Sequence, residues 1–152
     1  MVITPIVNDG RINRSKTTLN KIVAATISLL RKNNNGQIPT AQEIAVKSGV
    51  GIRTVFRHID DMEGLIEEVN RRYLNDLESY IAKNNPKQNS KDQRIEHVIK
   101  ERFYLYNTYQ HVFNLTITSL NNSSAIRTGF IKFNHILRQR FEDLIPEIKM
   151  IN

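Results

Sequence analysis

The stretch TAQEIAVKSGVGIRTVFRHI, Thr40 to Ile59, decides how this chain is expected to fold. Thr40 and Glu43 have capping-box spacing, in which the hydroxyl takes a backbone N–H and the carboxylate reaches back to the cap. Ile44 and Ala45 are the apolar positions of the short helix that follows. Ser48-Gly49-Val50 predicts a tight turn, with Gly49 at the positive φ that a side chain would penalise. A second short helix is expected from about Gly51 to His58. Ala45 is small where that helix crosses, and Ile44, Val50 and Val55 fill the wedge between the helices. Arg53, Thr54, Phe56, Arg57 and His58 are left pointing outward. Two short helices so joined read as a helix-turn-helix, whose second helix enters a DNA major groove with its N-terminal residues toward base edges.

Upstream, Leu19, Ile22, Val23, Thr26, Ile27 and Leu30 keep the spacing of one helical face over residues 15–32. Asn33-Asn-Asn-Gly36 stops that helix. Before it, a flexible basic arm carrying Arg11, Arg14 and Lys16 is expected. Downstream, Asp60-Asp-Met-Glu63 reads as another capping box opening a long helix to about residue 83. Asn84-Asn-Pro-Lys-Gln-Asn-Ser90 is a loop, and Ser90 with Gln93 caps the next helix. The β-branched stretch from Tyr109 to Leu120 predicts a separate further helix. Asn121-Asn-Ser-Ser124 breaks it, and a last helix runs to Pro146. No segment alternates apolar and polar residues, so the fold class is all-α, a helix-turn-helix head joined by a long helix to a helical body.

The charge pattern points to the partner. Residues 11–57 hold nine Lys and Arg against the single acid Glu43, a local +8 within a chain of net charge +7. The remainder, 58–152, balances at thirteen each. A basic third on a neutral remainder suits a polyanion such as double-stranded DNA. The chain has no cysteine, which excludes disulfides and thiolate chemistry. Its longest apolar run, Ile22 to Leu30, is nine residues, far short of the ~20 of a membrane-spanning helix. No basic leader precedes the first apolar residues, so a cytoplasmic location is expected. No nucleophile elbow, phosphate-cradling glycine loop, paired carboxylates or metal-ligand spacing of its four histidines appears. No cofactor and no enzymatic activity are expected.

With these residues in place, the run from Leu19 to Tyr73 resembles the N-terminal domain of the TetR (tetracycline-repressor-like) family of bacterial transcription regulators. The matching residues are Ile22-Val-Ala-Ala25, Pro39-Thr40, Glu43-Ile-Ala45, Gly49-Val50, Thr54-Val55-Phe56-Arg57-His58, and Glu63 with Leu65-Ile66. The resemblance implies a DNA-binding domain over 1–60 and a regulatory body over 61–152. It also implies a homodimer on a palindromic operator, and a small-molecule effector that moves the fourth helix and releases the DNA. It places Thr40 where members bind a phosphate, and Thr54 and His58 where they touch phosphate or bases. Lys47, Gly51, Phe56, Arg14 and Lys16 complete the DNA-facing set. Arg53, and after it Arg57, are the base-reading candidates, because a guanidinium can grip guanine O6 and N7 together. Three departures remove phosphate contacts: Phe56 for a common Tyr, Gly51 for a common Ser and Met62 for a common Lys; Ile59 also replaces a common Phe. Members continue past the position of Pro146 into two further helices, and residues 148–152 read as an entry to such helices.

The aromatic residues of the body are core by their spacing. They also define a candidate effector pocket of Phe103, Tyr106, Tyr109, Phe113, Phe130 and Phe133. A rival reading stays open: a basic helical interaction module that binds an acidic partner without reading sequence.

Overall fold

The computed structural model of the chain describes residues 10–59, 62–86 and 90–150. All regular elements among them are helical: α1 (Gly10–Asn33), α2 (Ala41–Ser48), α3 (Ile52–His58), α4 (Met62–Lys83), α5 (Lys91–Ser119) and α6 (Ser124–Leu144), with a 3-10 turn at Pro146–Met150. The protein is all-α. No helix among the described residues is long and apolar enough to cross a membrane.

The first helix starts earlier than its apolar pattern. Residues before Leu19 are polar and carry no periodic signal, yet the helix runs from Gly10, because extending an existing helix is far easier than nucleating one. The hydroxyls of Thr17 and Thr18 donate to the carbonyls of Asn13 and Arg14, each at 2.9 Å, a bond that suits helical backbone. The flexible arm is thus corrected from residue 10 onward: Arg14 and Lys16 are exposed positions on α1. Residues 1–9 lie outside the described ones.

One apolar core runs through the molecule. It takes Ile22, Val23 and Leu30 from α1, Ile44 from α2, Val55 from α3, Leu65, Ile66 and Leu77 from α4, Leu105 from α5 and Ile126 from α6. Helix α4 packs chiefly along α6, and α1 touches α2, α3, α4 and α5. The boundary expected at 60/61 falls on residues outside the description, as does the Asp60 half of the second capping box. Glu63 does something else with its carboxylate. It accepts the Ala125 N–H and the Ser124 hydroxyl, both at 2.9 Å, at the start of α6. Those bonds, the Ala125 N–H first, hold Glu63 below the usual carboxylate range. Seven residues on, Asn70 Nδ2 donates to the Ala125 carbonyl at 2.9 Å. The first two turns of α4 are therefore tied to the N-terminus of α6.

The two helices expected across residues 91–120 run end to end as α5 and meet at Tyr109, where the backbone leaves helical geometry (φ −110°, ψ 18°) and the chain kinks as the pattern changes. The β-branched residues after the kink are weak helix formers, but burial of Leu115 and Thr116 keeps them helical. The Ser90–Gln93 and Thr40–Glu43 capping boxes both form. A smaller core of Val98, Leu144 and Ile145 closes the far end of the bundle. Beside it the buried Arg140 and Glu101 pair at 3.2 Å, and Arg140 also donates to the Asn84 carbonyl after α4.

Gly36 fixes the connection from α1 to α2 against α5. Its φ is +72°, and a Cβ there would stand 2.6 Å from the Asn114 carbonyl oxygen. Asn114 Nδ2 donates to Asn34 O at 3.1 Å, and the Thr118 hydroxyl donates to Gly36 O, so the approach is held from both sides. Gly36→Ala is expected to lower unfolding stability by about 1–3 kcal/mol, read from chemical denaturation. An unchanged midpoint would mean that the connection is not seated on α5.

Candidate nucleic-acid interface

The candidate interface comprises α2, its turn and α3. Thr40 is extended (φ −71°, ψ 156°), and its oxygen accepts the Glu43 N–H at 3.3 Å. The Glu43 carboxylate returns to both the Thr40 N–H and the Thr40 hydroxyl, each at 2.8 Å. These bonds, the backbone one first, hold Glu43 below the usual carboxylate range. They also commit the Thr40 hydroxyl inside the cap. A phosphate reaches this helix start, where free N–H groups favour anions, only by displacing the Glu43 carboxylate.

The turn follows from Gly49, at φ 67° and ψ 19°, which closes α2. The Ser48 hydroxyl donates to the Ala45 carbonyl and accepts the Val50 N–H, both at 3.3 Å. Gly51 then opens α3 with backbone alone: its carbonyl takes the N–H of Thr54 at 2.8 Å and of Val55 at 3.0 Å. Val55 and Ile59 are buried and set the roll of α3. On the far side Arg53, Phe56 and Arg57 are exposed, at the i, i+3, i+4 spacing that puts them on one face. Thr54 and His58 are half-buried and sit at its edges. The outward-pointing set is thereby narrowed to Arg53, Phe56 and Arg57, because burying Val55 draws its helical neighbours in.

Lys47 is exposed on the last turn of α2 and shares a shallow cleft with Lys32, from the last turn of α1, and Glu43. Lys32 counts in the basic segment, but nothing local in the sequence places it beside Lys47. Arg31 goes the other way. It lines a cleft with Arg72, Tyr73 and Asp76, toward the body. Ion pairs such as Arg71–Glu68, Arg138–Glu142 and Arg140–Glu101 lie in the body. Among the described residues no acidic side chain pairs with Lys47, Arg53 or Arg57.

The candidate effector pocket is partly assembled. Tyr109, Phe113, Phe130 and Phe133 line a narrow apolar cavity between α4, α5 and α6, with Tyr73 and Ile126. Its volume of about 30 Å³ is room for a single water, whereas ligand pockets run to roughly 300–1,000 Å³. Phe103 and Tyr106 do not belong to it. Both are exposed on the outer side of α5, because the buried side is taken by Val98, Glu101, Leu105 and Tyr109. A larger open groove, about 860 Å³, lies between α4 and α6 and is lined by Glu78, His135, Gln139 and Arg140 among others. No short motif marks that groove, since its walls come from separate helices, α4 and α6, whose residues lie forty or more positions apart.

Next to the small cavity, His111 Nε2 lies 2.7 Å from the Tyr73 hydroxyl, and both side chains are buried. Burial, with the nearby Arg31 charge, brings the imidazole down from its ordinary 6.5 to about 4. Burial likewise pushes the Tyr73 phenol up. His111 is therefore neutral where the fold is stable.

Compared with protein-family models, with curated proteins and with solved structures, the chain matches none. The residues and their geometry carry the functional reading.

The His111 geometry sets a pH dependence. Between about 6.5 and about 4 the unfolded chain binds a proton that the folded chain refuses, so stability falls as pH drops through that window and levels off below it. The loss is expected to reach about 3 kcal/mol. Denaturation midpoints of the chain and of His111→Gln across that range check it; equal acid slopes would remove His111 as the cause.

Proposed function

We propose that this chain is a sequence-specific DNA-binding transcriptional regulator of the TetR kind, a ligand-responsive repressor without catalytic activity. The observation that carries the reading is the outer face of α3. Arg53 and Arg57 stand exposed and, among the described residues, without an acidic partner; the flat side chain of Phe56 separates them, on a helix whose roll is set by Val55 and Ile59. A buried anchor with cations on the opposite face is what groove reading requires of a helix. In this reading α2, Gly49 and α3 are the helix-turn-helix, and residues 1–60 form the head.

The division of labour follows from reach. Arg53, on the first turn of α3, reads a base edge, and Arg57 lies one turn behind it. Phe56 offers apolar contact to a thymine methyl. Lys47, Lys32, Arg14 and Lys16 supply exposed positive charge to the phosphates around the groove. Binding is then steeply salt-dependent. The protein acts as a homodimer on a palindromic operator. Helix α4 passes the state of the body to the head, because Glu63 and Asn70 tie its first turns to the start of α6. A small apolar effector enters by parting α5 and α6 around Phe113 and Phe133, enlarging a cavity whose present volume has room for one water. Loosening α6 there frees the Glu63 end of α4.

Selection from a random duplex pool tests the reading. An enriched site is expected, and Arg53→Ala should lose preference at one base position and cost about 1–3 kcal/mol in affinity. Equal, salt-sensitive binding to every duplex would leave a basic module for acidic partners and sink the repressor reading.

A further inference from the structure

Helix α5 has an outer face as well as an inner one, and the outer face is apolar. Ile99, Phe103, Tyr106 and Ile117 are exposed to 64%, 72%, 53% and 81%. With Gln110 and Phe113 they form the series 99, 103, 106, 110, 113, 117, whose steps alternate four and three. At ~100° per residue all six lie within about 40° of one line along the helix. The kink at Tyr109 does not break this line: the Tyr106 and Phe113 rings stack across it with centroids 5.7 Å apart. Phe113 continues the surface onto α6 through Phe133, at 5.8 Å. A four–three stripe of this kind is the seam by which one helix packs on another.

Charge sets the face apart from the rest of the molecule. From Phe103 to Ile126 the chain has no Lys, Arg, Asp or Glu, twenty-four residues in a protein that carries +7. Solvated helix faces are normally charged, whereas the centres of interfaces are depleted of charge and rich in Phe, Tyr and Trp. Two copies of a basic protein repel each other least through such a face.

The order of residues names the occupant. Read from either end, the stripe is Ile, Phe, a polar-tipped residue, a polar-tipped residue, Phe, Ile, and its midpoint is residue 108. A two-fold axis at that midpoint pairs residue 108−k of one copy with 108+k of the other, as an isologous contact requires. We infer that a second copy of this chain docks on the outer face of α5, the two helices antiparallel, with Ile99 on the partner's Ile117, Phe103 on the partner's Phe113 and Tyr106 on the partner's Gln110. The first two pairs bury apolar surface. The third puts a phenol hydroxyl beside an amide at the centre, where a single polar layer fixes register in helix pairs. In the DNA-binding reading this contact supplies the second recognition helix, but it uses no residue of the head.

Sedimentation equilibrium of the full chain without DNA tests the contact. A reversible dimer in the micromolar range is expected, with Phe103→Glu weakening it at least tenfold and leaving unchanged a thermal melt taken well below the dimer Kd, since Phe103 is exposed in the single chain. Ile99→Lys and Ile117→Glu should each weaken the dimer. Together they should restore it, because the antiparallel pairing sets the new lysine against the partner's new glutamate. A chain that stays monomeric, a dimer indifferent to Phe103→Glu, or a double variant weaker than either single one would each overturn the proposal. The duplex selection separates this outcome from that of the DNA reading. A monomer that enriches half-sites defeats the α5 contact and the homodimer while leaving the duplex-reading head, and a dimer without duplex preference defeats only the regulator.

Discussion

Ile22, Val23 and Thr26 have no exposed surface because α1 is packed by α2, α3, α4 and α5 together. The rest of the molecule is arranged around that burial. Thr26, polar in an apolar setting, is tolerated because its hydroxyl donates to the Ile22 carbonyl at 2.9 Å within its own helix. Since α1 carries both short helices on one side and the body on the other, α3 has no independent position. Its roll is set by Val55 in the shared core, and that core extends without interruption to Ile126 on α6. A close-packed interior transmits displacement, so movement in the body has a mechanical route to α3.

The electrostatics divide along the same line. In the body, opposite charges meet: Glu68 with Arg71 and Arg72, Glu101 with Arg140, Glu142 with Arg138. Around α2 and α3 no such pair occurs among the described residues, and Glu43, the one acid of residues 11–57, is turned onto its own cap. Exposed pairs add little stability, so the contrast matters for partners more than for folding. Unpaired cations hold a field that an anion can use. Glu43 occupies the start of α2, so an anion meets the exposed lysines around it before the helix N–H groups.

What was legible in the sequence was local. The boxes at Thr40–Glu43 and Ser90–Gln93 close over three residues, and the Gly49 turn depends on one residue's φ. The periodic faces of α1, α4 and α6 needed only the helical repeat. Illegible features involve residues far apart or signals that cancel. The spacing of Glu63 points it toward Asp60, but its carboxylate accepts from Ser124 and Ala125, some sixty residues later. The polar first turns of α1 have no pattern, yet they continue a helix nucleated downstream. Phe103 and Tyr106 had the same aromatic character as Tyr109 and Phe113, and only the side of α5 taken by the core separated them.

The sequence by itself thus determined the helices, their caps, the tight turn and the basic character of the first third, because each depends on neighbours within a turn or two of chain. Tertiary structure alone decided which of the outward-pointing residues on α3 remain exposed, which way Arg31 faces, and that Glu63 joins α4 to α6. It also decided that the aromatic cluster closes around space for one water and leaves Phe103 and Tyr106 outside. Those outcomes turn on how helices are rolled and spaced against one another. That is settled by filling a common core, a condition no local stretch of sequence contains.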